Sequence, residues 1–161
     1  MKAKLCALAL ALTLLLAACG KAAPDVGDYG DAPIIVAGLT ETELRVTPAE
    51  LAQLDCVSRT ATGATAKAGT VSACGPLLDT FLAQYGCAAA DFYKIRFLCA
   101  DGYKVVLRGE YLTDYEIVLA VSAGNGPLPE AQRPLRVLIP EAESSKWAYS
   151  VVRIELEREK P

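Results

Sequence analysis

Residues 93 to 107 read YKIRFLCADGYKVVL, two strand-forming runs either side of Asp101-Gly102. A turn of only Asp101 and Gly102 would set Cys99 opposite Lys104 and Ile95 opposite Arg108, mixing apolar with charged side chains on one face. A three-residue loop, Ala100-Asp101-Gly102, instead sets Cys99 against Tyr103, Phe97 against Val105 and Ile95 against Leu107. Register follows the buried face, because a one-residue slip sends every side chain to the other side. Gly102 suits the left-handed position such loops use. The stretch predicts an antiparallel hairpin with an apolar face, and so a sheet to which other elements add.

Further strands are expected at IIVAGL (34–39), ELRV (43–46), EIVLAV (116–121), LRVLI (135–139) and AYSVVRIEL (148–156). Two short helices interrupt the first half. Thr47-Pro48-Ala49-Glu50 carries a capping residue, a proline for the first turn and a glutamate three places after the cap. Leu51 and Leu54 give that helix its apolar face. A second helix is expected to open at Pro76, to carry Leu77, Leu78, Phe81, Leu82 and Tyr85 on one stripe, and to stop at Gly86. The fold class is α+β: a mixed β-sheet with a few short helices.

The first residues carry a different pattern. Lys2 and Lys4 precede an apolar run from Leu5 to Ala18, shorter than the roughly 20 residues a membrane span needs and proportioned like a secretory signal. Leu16-Ala17-Ala18-Cys19 resembles the lipobox of bacterial lipoproteins. The resemblance implies that residues 1–18 are a signal peptide, that the Cys19 thiol receives lipid, and that the chain faces outside the cytoplasm on a membrane. Residues 19–32, with KAAPDVGDYGDA rich in Gly, Asp, Ala and Pro, read as a tether with a span of about 20 Å for its last 12 residues. The single domain is expected over 33–159.

Composition excludes several chemistries. The 161 residues contain no histidine. Histidine-dependent nucleophilic triads and histidine-ligated zinc are therefore excluded. No CxxC, GxxxxGK[ST] or GxSxG occurs. The formal charge of −3, without a basic cluster, argues against a nucleic-acid partner. No apolar run after residue 18 is long enough to cross a bilayer.

Five stretches, taken in order, resemble one family: GLTETELRVTPAELAQL, GPLLDTFLAQYG, DGY, IVLAVSAGNGPLPEAQRPLRVLIP and KWAYSVVRIEL. They are similar to the oxidoreductase molybdopterin-binding domain, the sulfite-oxidase-type fold, in a reduced form, over most of residues 35 to 158. In that family a cysteine thiolate on a strand before the GPLL helix binds molybdenum beside the pterin dithiolene. The resemblance places Cys56, in LDCVSRTATG, as cofactor and metal ligand. It places Arg136, in RPLRVLIP, as an arginine fork toward the cofactor or an oxyanion. Catalytic members also use histidine and several basic residues around the cofactor; histidine is missing here, and the domain is short. Their folded, cofactor-loaded form usually leaves the cytoplasm by a twin-arginine signal, whereas this start has only lysines. No cofactor is therefore expected, with molybdopterin the one to look for if the family activity is retained. The first reading is a lipid-anchored, non-catalytic module that binds an envelope protein or a small ligand. The second is a molybdopterin-dependent oxidoreductase, and the third a structural envelope lipoprotein.

Several residues have plainer readings. Cys56, Cys74, Cys87 and Cys99 allow three disulfide connectivities, or simple burial. Gly124-Asn125-Gly126-Pro127 reads as a turn rather than a phosphate loop. Asp101 reads as turn chemistry, Glu155 and Glu157 as the solvated face of a strand, and Trp147 and Tyr149 as core or edge aromatics. Arg59 sits close enough in sequence to help activate the Cys56 thiol.

Overall fold

A computed structural model describes residues 23–63 and 69–159. The expected signal peptide, Cys19 and the start of the tether lie outside the described residues. The chain forms β1 (Ile34–Ala37), β2 (Leu44–Val46), α1 (Pro48–Leu51), β3 (Cys56–Thr62), β4 (Thr70–Pro76) and α2 (Leu78–Ala83). It continues with β5 (Lys94–Cys99), β6 (Lys104–Arg108), α3 (Glu110–Thr113), β7 (Val118–Ala120), β8 (Ser122–Ala123), β9 (Gly126–Pro127), β10 (Arg136–Leu138) and β11 (Val151–Glu157).

A five-stranded sheet in the order β2-β1-β11-β5-β6 forms one side. The first and last strands, β1 and β11, run parallel, with Val36 beside Ile154. The hairpin has the three-residue register: Ile95 faces Leu107 and Phe97 faces Val105, while Cys99 N–H donates to Tyr103 O. On the neighbouring strand Ile154 faces Phe97 and Leu156 faces Ile95. The result is one continuous apolar face of Ile34, Val36, Ile95, Phe97, Val105, Leu107, Ile154 and Leu156, all buried. The opposite face carries an ion-pair ladder: Lys94 and Arg96 to Glu157, Arg96 and Arg153 to Glu155, Arg153 to Glu43. Glu155 and Glu157 therefore lie on the half-exposed face, joined to cations across it.

A second sheet runs β3-β4-β8-β9, and β7 pairs with β10. Gly75 lets β4 cross β7 closely: a Cβ there would run into the carbonyl oxygen of Leu119. Leu78, Phe81 and Leu82 of α2 fill the core with Val118, Leu119, Val137, Leu138, Ile139 and Trp147. The Trp147 indole N–H donates to Ile139 O at 2.9 Å, so this large buried ring leaves its polar atom satisfied.

The α1 cap forms as expected. Glu50 N–H donates to Thr47 Oγ1, and Thr47 N–H donates to the Glu50 carboxylate. Gly86 ends α2 with φ of 69°. Two expectations need correction, and one strand pair has no counterpart among the expected strands. Pro76 is the last residue of β4, facing Cys56, and the helix starts at Leu78 behind Leu77. Residues 56–76 contain a seven-residue strand on each side, β3 and β4, where small and hydroxyl side chains hide strand alternation from the sequence. The tether expected over 19–32 is packed from residue 27: Gly27–Tyr29 form a 3-10 turn and Tyr29 is buried. An aromatic ring with a matched hydrogen-bond acceptor outweighs the turn-forming composition around it.

Candidate functional site

The β3–β4 ladder presents one polar face. Cys56 faces Pro76, Ser58 faces Cys74, Thr60 faces Ser72 and Thr62 faces Thr70, and directly opposed residues point to the same side. Hydroxyl pairs join the far end, with 2.9 Å between Thr60 Oγ1 and Ser72 Oγ and 3.0 Å between Thr62 Oγ1 and Thr70 Oγ1. At the near end Cys56, Ser58 and Cys74 line a cleft of about 490 Å³ with Ala23, Pro24 and residues 52–55.

Cys56 is 8% exposed. Its Sγ lies 3.7 Å from Leu51 O and 3.9 Å from Ala52 O, close to the last carbonyls of α1. Those carbonyls accept an S–H and repel a thiolate. Among the described residues lining this cleft the charged side chain is Asp55, and no lysine or arginine takes part. Arg59 does not serve Cys56. Strand alternation turns it away, and it binds Glu116 through two hydrogen bonds, Nε to Oε2 at 2.6 Å and Nη2 to Oε1 at 2.8 Å. The Arg59 hydrogen bond holds the Glu116 carboxyl below its ordinary range.

Arg136 meets the far, hydroxyl-bearing end of the ladder. It lines a shallow depression of about 250 Å³ with residues from β4, the Gly124-Asn125 turn and Gln132. That depression and the Cys56 cleft have no lining residue in common. Only 2% of Arg136 is exposed. Nη1 donates to Gln132 Oε1 at 3.1 Å and Nη2 to the Tyr149 hydroxyl at 3.3 Å. The guanidinium stacks 4.6 Å from the Tyr149 ring centre and 5.8 Å from that of Trp147, and Nε is buried without a partner among the described residues. Burial lowers its pKa, against the raising effect of Tyr149. Tyr149 and Trp147 hold the guanidinium flat by cation–π contact. The two residues the resemblance brings together thus line different depressions, which meet the same polar face of the β3–β4 ladder at Cys74 and at Ser72 and Thr70.

The other cysteines stand apart from this cleft. Cys87 Sγ lies 2.9 Å from Arg158 Nη2 and 3.4 Å from Tyr85 O, packed back against the end of α2. Cys99 is buried in β5, where burial pushes its thiol up. Gly124-Asn125 form the tight connection between β8 and β9, and Gly126–Pro127 are β9 itself; Asp101 accepts from Tyr103 N–H within its own loop. Among the described residues no group of three or more Cys, Asp or Glu side chains is placed to hold a metal ion. Sequence reasoning missed Cys74 and Ser58 as neighbours of Cys56, because finding them requires the β3–β4 register. The only local signal was the density of threonine and valine in residues 57–71.

The model of the oxidoreductase molybdopterin binding domain matches residues 27–161. No curated protein matches the chain. Among solved structures, the sulfane dehydrogenase SoxCD from Paracoccus pantotrophus is similar in fold, with a TM-score of 0.65 at 20% sequence identity. The match covers 83% of this chain and 40% of that one. The chain therefore spans less than half the length of that structural relative.

Proposed function

The chain belongs to the oxidoreductase molybdopterin-binding domain family, and from that premise we propose that it is a lipid-anchored, non-catalytic member that binds a small ligand or an envelope protein. The anchor is the lipobox cysteine, Cys19, which would hold the domain outside the cytoplasm. Two or more acyl chains give stable membrane attachment, since each buried CH₂ contributes about 0.8 kcal/mol.

The lining of the Cys56 cleft carries the non-catalytic reading. Molybdopterin brings a phosphate and takes a cysteine thiolate onto molybdenum. A site for it needs cations near the phosphate and surroundings that favour an anionic sulfur. The described lining offers Asp55 and two carbonyl oxygens near Cys56 Sγ instead, while Arg136 lines a different depression. Within the described residues, this lining does not match that donor set.

Elemental mass spectrometry tests the proposal on full chain purified from cells supplied with molybdate. Molybdenum far below one atom per chain is expected. Near-stoichiometric molybdenum that disappears in Cys56→Ala would overturn the proposal. One observation favours that second reading: Cys56 stands on a strand ahead of the α2 helix, as the resemblance implies.

A further inference from the structure

We propose that Cys56 and Cys74 form a reversible disulfide across the β3–β4 ladder, making this cleft a redox-modified site. The inference deepens the non-catalytic reading, since an oxidised Cys56 has no thiolate to give a metal.

Placement selects this pair among the three connectivities. Cys56 faces Pro76 and Cys74 faces Ser58, so the two side chains stand on one face in diagonal positions, and both line the same cleft. Diagonal neighbours on an ideal ladder have Cα atoms about 7–8 Å apart, with Cβ atoms closer. A disulfide spans up to about 6.8 Å between Cα atoms. Bridging thus requires Cys56 to shift by on the order of 1 Å and its Sγ to leave the carbonyls of Leu51 and Ala52, a move the position of Cys56 allows. It is the first residue of its strand, preceded by the exposed Asp55 at the end of a turn.

The remaining cysteines are held apart. Cys99 pairs with Val151 at one end of β11. Cys87 touches Arg158, just past the other end. At about 3.3 Å per residue, the strand between those points is roughly 20 Å long, far beyond disulfide reach. Cys99 also belongs to the five-stranded sheet, and Cys56 and Cys74 to the other.

The oxidant is the disulfide of a small thiol or of a thiol–disulfide exchange protein. Cys74, half-buried and the more accessible of the two, loses its proton and attacks that disulfide. The external S–S bond breaks, a mixed disulfide forms on Cys74 and one thiolate leaves. Cys56 Sγ then loses its proton, attacks the Cys74 sulfur and expels the second thiolate. The two protons go to the departing thiolates, so two protein thiols are oxidised and one external disulfide is reduced to two thiols.

Full chain equilibrated in oxidised and reduced glutathione, quenched in acid and alkylated with N-ethylmaleimide while denatured, tests this by peptide mapping without reduction. A linked Cys56–Cys74 peptide is expected, with Cys87 and Cys99 alkylated and the link lost in dithiothreitol. In Cys74→Ser, Cys56 should be recovered alkylated. Alkylation of both Cys56 and Cys74, a stable glutathione adduct on Cys74, or a link from either to any other cysteine would each overturn the proposal. Molybdenum analysis of the same preparations keeps the two readings separable. Metal without the link sinks both, whereas no metal and no link sinks only the disulfide.

Discussion

The Tyr29 hydroxyl donates a 2.6 Å hydrogen bond to the carbonyl of Val121 and accepts one of 2.7 Å from the Leu128 amide. One side chain from the start of the domain thus ties together the segment that leads from β7 to β9. Arg133 covers its ring at 4.8 Å and pairs with Asp28 beside it, so the N-terminal segment is part of the folded unit.

Tyr29→Phe keeps the ring and removes the hydroxyl, leaving the Leu128 amide and the Val121 carbonyl without that partner in a buried setting. A loss of about 1–3 kcal/mol is expected, read as a lower urea midpoint at unchanged m-value. A variant as stable as the parent would mean that residues 27–32 behave as tether after all.

Phe97 and Leu78 are both within 1% of complete burial, one on the hairpin and one on α2. Replacing either with alanine should cost about 2–5 kcal/mol in urea unfolding, from lost transfer energy plus the cavity left behind. Losses below about 0.5 kcal/mol at both positions would contradict the core.

Acid should weaken the fold through the ion-pair ladder. The Arg153 hydrogen bond holds Glu155 below its ordinary pKa, and the Lys94 hydrogen bond does the same for Glu157. A carboxyl with a lowered folded pKa contributes stability that is complete above its unfolded value of roughly 4.3 and disappears as pH falls through the folded value. The Tm should therefore drop from about pH 4.3 downward, less steeply in Arg153→Gln, and less steeply at high salt for these part-exposed pairs. A Tm independent of pH between about 6 and 3 would show that the ladder contributes nothing.

Cys19→Ser should abolish lipid attachment and leave the signal uncleaved, with the product lost from the mature membrane-bound form. Intact-mass measurement of the membrane fraction reads this directly. An unmodified mature chain starting at another residue would refute the anchor.

The sequence alone determined what depends on near neighbours. The hairpin register at Phe97–Val105, the Thr47–Glu50 capping box and the Gly86 stop are each decided by contacts a few residues apart, and each is found where local chemistry puts it. The α+β class follows from the same periodicities. Tertiary structure alone decided the rest. Pro76 suits a helix start by local rules, yet it is held in β4 opposite Cys56. Tyr29 lies in a run of turn formers, yet its hydroxyl meets a carbonyl 92 residues away. Arg136 and Cys56, joined by a family resemblance, line separate depressions, while Cys74 stands beside Cys56 unannounced. The physical reason is common to all four. Side-chain alternation and capping report on atoms within about one turn or strand pair of a residue. Which distant backbone supplies an acceptor, or which strand lies alongside, depends on how the two sheets and α2 share one core, and no local pattern carries that.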